Sequence, residues 1–112
     1  MIKINEKEYE LVYDINVMCK MASNGIDVMN NGFDKILNSL PNLRKAFSYG
    51  LMHNNKKMNE HIAGKLMSQY LNEGHTIQDI IEEVSNAIAE ALGINEEEAE
   101  DKEENEDEIQ GK

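Results

Sequence analysis

MIKINEKEYELVYDINVMCK, residues 1–20, changes its hydrophobic period part-way along. Ile2 and Ile4, then Tyr9, Leu11 and Tyr13, fall at every second position, which places apolar side chains on one face of a strand. A two-residue turn at Asn5-Glu6 pairs Ile4 with Lys7, Lys3 with Glu8 and Ile2 with Tyr9. That register keeps the apolar set together and sets a cation opposite an anion. From Asp14 the spacing becomes helical, and Ile15, Met18, Cys19 and Ala22 form an i, i+3, i+4, i+7 stripe. A hairpin feeding straight into a helix is the expectation. Neither can bury its apolar face alone, so both must pack on later parts of the chain.

Asp14 suits the N-cap of the first helix and Asn24-Gly25 its end, with Gly25 fitted to a left-handed position. Ile26 to Asn30 reads as one further turn before Asn30-Asn31-Gly32 breaks the chain. Asp34 to Leu37 is a short helical stretch, with Leu40 expected to pack on Ile36 or Leu37. Pro41, the single proline, suits the first turn of a new helix. That helix carries Leu43, Ala46, Phe47, Gly50 and Leu51 on one face, with Arg44, Lys45 and Ser48 turned away. It should end in His53-Asn54-Asn55-Lys56-Lys57. Asn59 caps the next, whose stripe is Ile62, Leu66, Met67, Tyr70 and Leu71, closed by Gly74. Thr76 with Asp79 resembles a capping box. The last stripe, Ile77, Ile80, Ile81, Val84, Ile88, Ala91 and Leu92, runs to Gly93. The fold class expected is α+β, mainly α: a hairpin and about four to five helices over residues 1–93.

Charge divides the chain unevenly. The whole carries a formal −11, yet residues 94–112 hold ten acids against Lys102 and Lys112, a net −8. The remaining residues hold twelve acids and nine bases, a net −3. The body is mildly acidic, and 94–112 reads as a disordered acidic tail, through like-charge repulsion and want of apolar periodicity. Such a tail either keeps a sticky complex in solution or meets a basic partner. Phosphate binding needs clustered Lys and Arg, so nucleic acid is not the expected ligand. No apolar run approaches the roughly 20 residues of a membrane span, and the alternating N-terminus is unlike a signal peptide. The lone Cys19 rules out an internal disulfide, fits a reducing compartment and reads as a small buried hydrophobe. A soluble intracellular protein is expected.

Nothing in the chain reads as catalytic. His53, His61 and His75 lack i, i+4 pairing and any HExxH pattern, so they read as exposed and no metal is expected. The acidic tail lacks the alternating ligands and central Gly of a calcium loop. No nucleophile elbow, P-loop or GxGxxG is present, and no cofactor is expected. Seven methionines with two Phe and no Trp make a soft apolar inventory, suited to filling gaps in a small core or gripping apolar segments of a client. Met52 and Met58, flanking the polar break between two helices, are the candidates for partial exposure.

Two segments taken together resemble a known family. Ile2-Lys3-Ile4-Asn5, with Tyr9-Glu10-Leu11-Val12-Tyr13-Asp14-Ile15-Asn16, is similar to the start of small tail assembly chaperones of long-tailed phages and prophages of Gram-positive bacteria. Leu43-Arg44-Lys45-Ala46-Phe47-Ser48-Tyr49-Gly50-Leu51, followed by His53, resembles that family's central helix, where an Arg-led apolar stretch ends in Gly-Leu. The order of parts agrees over roughly residues 1–92, although the hairpin turn has Glu6 where the family often has Gly. The resemblance implies a non-enzymatic role in the host bacterial cytoplasm: holding the tape-measure protein soluble and helping tail-tube protein assemble around it. Members are often made in two lengths by frameshifting, and this chain looks like the short form. On this reading Leu43, Phe47, Leu51, Met52 and Met58 are the expected partner-binding residues, and the helical faces could also serve a homo-oligomer. The alternative is a small acidic phage or mobile-element regulator that binds a host protein through its acids. Loss of binding on deleting residues 95–112, with steep salt sensitivity, separates that alternative from a chaperone.

Overall fold

The computed structural model describes residues 2–94. Strands β1 (Ile2–Ile4) and β2 (Lys7–Tyr9) lead into helices α1 (Ile15–Ser23), α2 (Gly32–Asn38), α3 (Leu40–Leu51), α4 (Glu60–Asn72) and α5 (Ile77–Ala91). The strands pair antiparallel with Ile2 opposite Tyr9, Lys3 opposite Glu8 and Ile4 opposite Lys7, the register that the alternation predicts. Both turn residues, Asn5 (φ 53°) and Glu6 (φ 66°), are left-handed, as a type I′ hairpin turn demands of its two central positions. Ile2 and Ile4 are buried, with β1 packed on α4. The turn is tied to the same helix, because Asn5 N–H donates to Glu73 Oε2 at 2.8 Å.

The strand stops at Tyr9 instead of running to Tyr13. From Glu10 the chain bonds to the end of a helix: Val12 N–H donates to the Gly50 carbonyl at 3.0 Å. Asn54 Nδ2 donates to the Glu10 carbonyl at 2.7 Å, and the buried Tyr13 hydroxyl donates to the Ala46 carbonyl at 2.6 Å. The last carbonyls of a helix have no partner within it, and here the incoming chain supplies one. Burial raises the Tyr13 phenol well above its ordinary pKa.

Helix ends follow the local signals. Asp14, Asn59 and Thr76 are N-caps whose side chains accept from Val17, Ile62 and Asp79 backbone N–H groups. Thr76 and Asp79 form a full capping box. Ser39 caps α3, with Pro41 in its first turn. At the end of α1, Gly25 (φ 96°) and Ile26 donate to the Ala22 and Met21 carbonyls, the Schellman pair. Ile26 and Met21, the two side chains such a motif brings together, are both in the core. The same bond pair closes α4 at Gly74 and His75, and α5 at Gly93 and Ile94.

Helix α3 is the hub, packed against α1, α2, α4 and α5. Leu43, Ala46, Phe47, Gly50 and Leu51 are buried as expected. Ser48 is buried too, against the expectation that it faces water. Arg44 does face water and Lys45 is half-buried, but the side of α3 that carries Ser48 is covered, and Ser48 tolerates burial by donating its hydroxyl to the Lys45 carbonyl at 2.7 Å. The face of α1 also differs. Met18 and Met21 are buried, while Cys19 and Ile15 are exposed. At about 100° per residue this rotates the buried stripe by nearly a quarter turn. The buried Tyr13, one residue before the cap, sets how the helix enters, and that brings Met18 and Met21 inward. Leu40, expected on Ile36 or Leu37, shares a depression with both and is 61% exposed. On α5, Ile80, Val84 and Ile88 enter the core, and Ala91 stays outside. No helix among the described residues is long and apolar enough to cross a membrane. The expected acidic tail lies, from residue 95, outside the described residues.

Candidate functional site

Burial decides which apolar residues can meet a partner. Phe47 and Leu51 have no exposed surface, Leu43 has 2% and Met58 has 6%. Of the five residues expected to bind a partner, only Met52 is partly exposed; the other four form the core itself. For Leu43, Phe47 and Leu51 the cause is simple: α3 is the hub, so its strongest apolar stripe is consumed internally; Met58, just before α4, joins the same core. Met29 is 81% exposed, so the soft methionine surface lies there and at Met52.

Four of the seven large exposed apolar residues among those described, Leu37, Leu40, Leu71 and Ile77, gather where four helix ends meet. A cleft of about 640 Å³ runs between the start of α3, the length of α4 and the start of α5, lined by Leu40, Pro41, Met67, Leu71 and Ile77 among others. A second depression of about 380 Å³ adjoins it, sharing Leu40 and Ile77 and adding Ile36, Leu37 and Ile81. Leu37 (47% exposed), Leu71 and Ile77 (each 37%) join Leu40 in this surface. Local structure explains each. Ser39 is extended (φ −145°, ψ 116°) and serves as both C-cap of α2 and N-cap of α3, so the chain turns a corner there. Leu37 and Leu40, on either side of it, are left largely in water. Ile77 is held at the first position of α5 by the Thr76–Asp79 box, and Leu71 occupies the last turn of α4.

The rim carries two cations. Arg44 and Lys65 line the cleft beside His61, and no carboxylate lines either depression among the described residues. Gly64 eases the fit. A Cβ there would sit 3.2 Å from Arg44 Cδ, so the glycine leaves room for the arginine stem to lie across α4. The Arg44 guanidinium reaches Glu60 at 3.7 Å, with both side chains about half exposed, a pair of small energetic weight. His53, His61 and His75 are exposed as expected. His75 stacks on Tyr70 with ring centroids 3.8 Å apart, the C″–C3 contact that accompanies the Schellman end of α4. Among the described residues no group of His, Cys, Asp and Glu has the arrangement to hold a metal ion. The cleft offers hydrocarbon to cover another hydrocarbon surface, with the Arg44 and Lys65 side chains at its edge.

Comparisons with protein-family models, with curated proteins and with solved structures found no match for this chain.

Proposed function

We propose that this chain is a tail assembly chaperone of a phage or prophage, acting in the host bacterial cytoplasm. It covers apolar stripes of the tape-measure protein and assists tail-tube subunits in assembling around it, with no bond made or broken. What carries the reading is the surface of Leu37, Leu40, Leu71 and Ile77: half-exposed aliphatic residues converging on one concave region of a small domain. Clustered exposed apolar residues of this kind mark interaction sites, whereas scattered ones need no explanation. An apolar groove between helices suits a helix laid along it, and a tape measure is a long helical chain with apolar stripes that aggregates unless covered. The hairpin–helix order and the Arg-led central helix add the family resemblance.

The test is co-expression. Tape-measure protein made with this chain should remain in the supernatant and co-purify with it. Tape measure equally soluble without it would remove the reading.

A further inference from the structure

We infer that the cleft between α3, α4 and α5 receives an amphipathic helix of the client whose apolar stripe is flanked by carboxylates. The identity of the client rests on the chaperone reading; the chemistry of its segment rests on the cleft alone. The floor calls for branched aliphatic side chains at i, i+3, i+4 and i+7, because Leu40, Leu71 and Ile77 lie along one concave surface with Leu37 beyond them. The rim calls for anions. The cations lining the cleft are Lys65 and Arg44, the latter also within 3.7 Å of Glu60, in a body that otherwise carries more acids than bases. A cationic edge on a net-acidic domain steers acidic partners and repels basic ones.

The same two requirements weigh against the other occupants. The chain's own residues 95–112 meet the rim with ten acids but bring only Ala99 and Ile109 to the floor, with no helical stripe. A second copy docked through the same surface by a two-fold axis would set each cationic rim against its counterpart. A nucleic acid would bring phosphates to a floor of leucine and isoleucine.

The full chain is titrated with three fluorescent peptides, read by anisotropy at low and at moderate salt. The first is a designed amphipathic helix with leucines at i, i+3, i+4 and i+7 flanked by glutamates. The second has the same leucines flanked by lysines. The third is residues 95–112 of this chain. The glutamate-flanked peptide should bind about tenfold tighter than the lysine-flanked one at low salt, an advantage shrinking as salt rises. The tail peptide should bind more weakly than the first. Leu40→Asp, at a position already in water, should abolish binding while leaving the helical circular dichroism unchanged. The double variant Arg44→Glu, Lys65→Glu should reverse the preference toward lysine flanks.

Equal affinity for both flanks, tail binding as tight as the striped peptide, or Leu40→Asp without effect would each overturn the inference. So would a dimer, seen by light scattering, that Leu40→Asp dissociates. The two levels separate cleanly. Peptide selectivity without solubilised tape measure leaves the cleft chemistry standing and removes the chaperone. Tape measure solubilised equally by Leu40→Asp keeps the chaperone and removes the cleft.

Discussion

Replacing Gly50 by Ala tests how the N-terminal segment is locked to the hub. Within a helix this change ordinarily stabilises by up to about 1 kcal/mol, because glycine loses more backbone entropy than alanine. Here an added Cβ would lie 2.5 Å from Tyr13 Oη, 2.6 Å from Tyr13 Cζ and 2.8 Å from Leu11 Cδ2. Leu11 is half-buried and can turn aside. Tyr13 cannot, since its ring is 2% exposed and its hydroxyl is held by the Ala46 carbonyl. Overpacking of this kind costs roughly 1–3 kcal/mol. Displacing the hydroxyl loses about 1 kcal/mol more, as a buried donor is left unpaired. Set against the propensity gain, Gly50→Ala should destabilise by about 2 kcal/mol. A double-mutant cycle is the decisive measurement. Tyr13→Leu removes the obstructing atoms at a cost of about 3 kcal/mol, and in that background Gly50→Ala should become neutral or stabilising. The coupling is then about 2 kcal/mol, well beyond the roughly 0.5 kcal/mol within which independent sites add. Urea unfolding followed by far-ultraviolet circular dichroism measures all four proteins. Additive effects, or a Gly50→Ala single variant more stable than the parent, would refute the reasoning.

Two further predictions concern the N-terminal segment. Burial raises the Tyr13 pKa, so the unfolded chain ionises first: stability is intact below pH of about 10 and falls above it, by up to about 1.4 kcal/mol per pH unit. Tyr13→Phe should lack that component, and unfolding free energies of the two proteins that run parallel through this range would contradict it. Glu6 holds a left-handed conformation at φ 66° that costs a side-chain-bearing residue roughly 1–2 kcal/mol, part of which glycine returns as unfolded-state entropy. Glu6→Gly should therefore stabilise by about 0.5–1 kcal/mol and raise the melting temperature by a few degrees; a lower melting temperature would count against it.

The approach of Tyr13 to Gly50 shows how legibility divides. Both residues stand on apolar stripes that the spacing marks as inward-facing, and both are buried. That one must be glycine because the other crosses it depends on the path of the chain between them and on how four helices settle around α3. The site divides in the same way. Leu43, Phe47, Leu51 and Met58 are conspicuous as apolar residues, and for that reason the core takes them. Leu37, Leu40, Leu71 and Ile77 look like ordinary members of helical stripes, yet they remain at the surface because their helices end there. The nearness of Leu40 to the Asn38-Ser39 corner, and of Ile77 to its cap, is visible in the chain and is the one signal that marks them.

Short-range chemistry settles the hairpin register, the caps Asp14, Asn59 and Thr76, and the ends at Gly25, Gly74 and Gly93, and all of these are written in the order of residues. Each depends on hydrogen bonds between near neighbours or on a backbone angle that few residue types accept. The inward face of α1, the burial of Ser48, the exposure of Cys19 and the cationic cleft come instead from packing between distant elements. Those are properties of shared area, and no residue carries its half of a contact in its own identity.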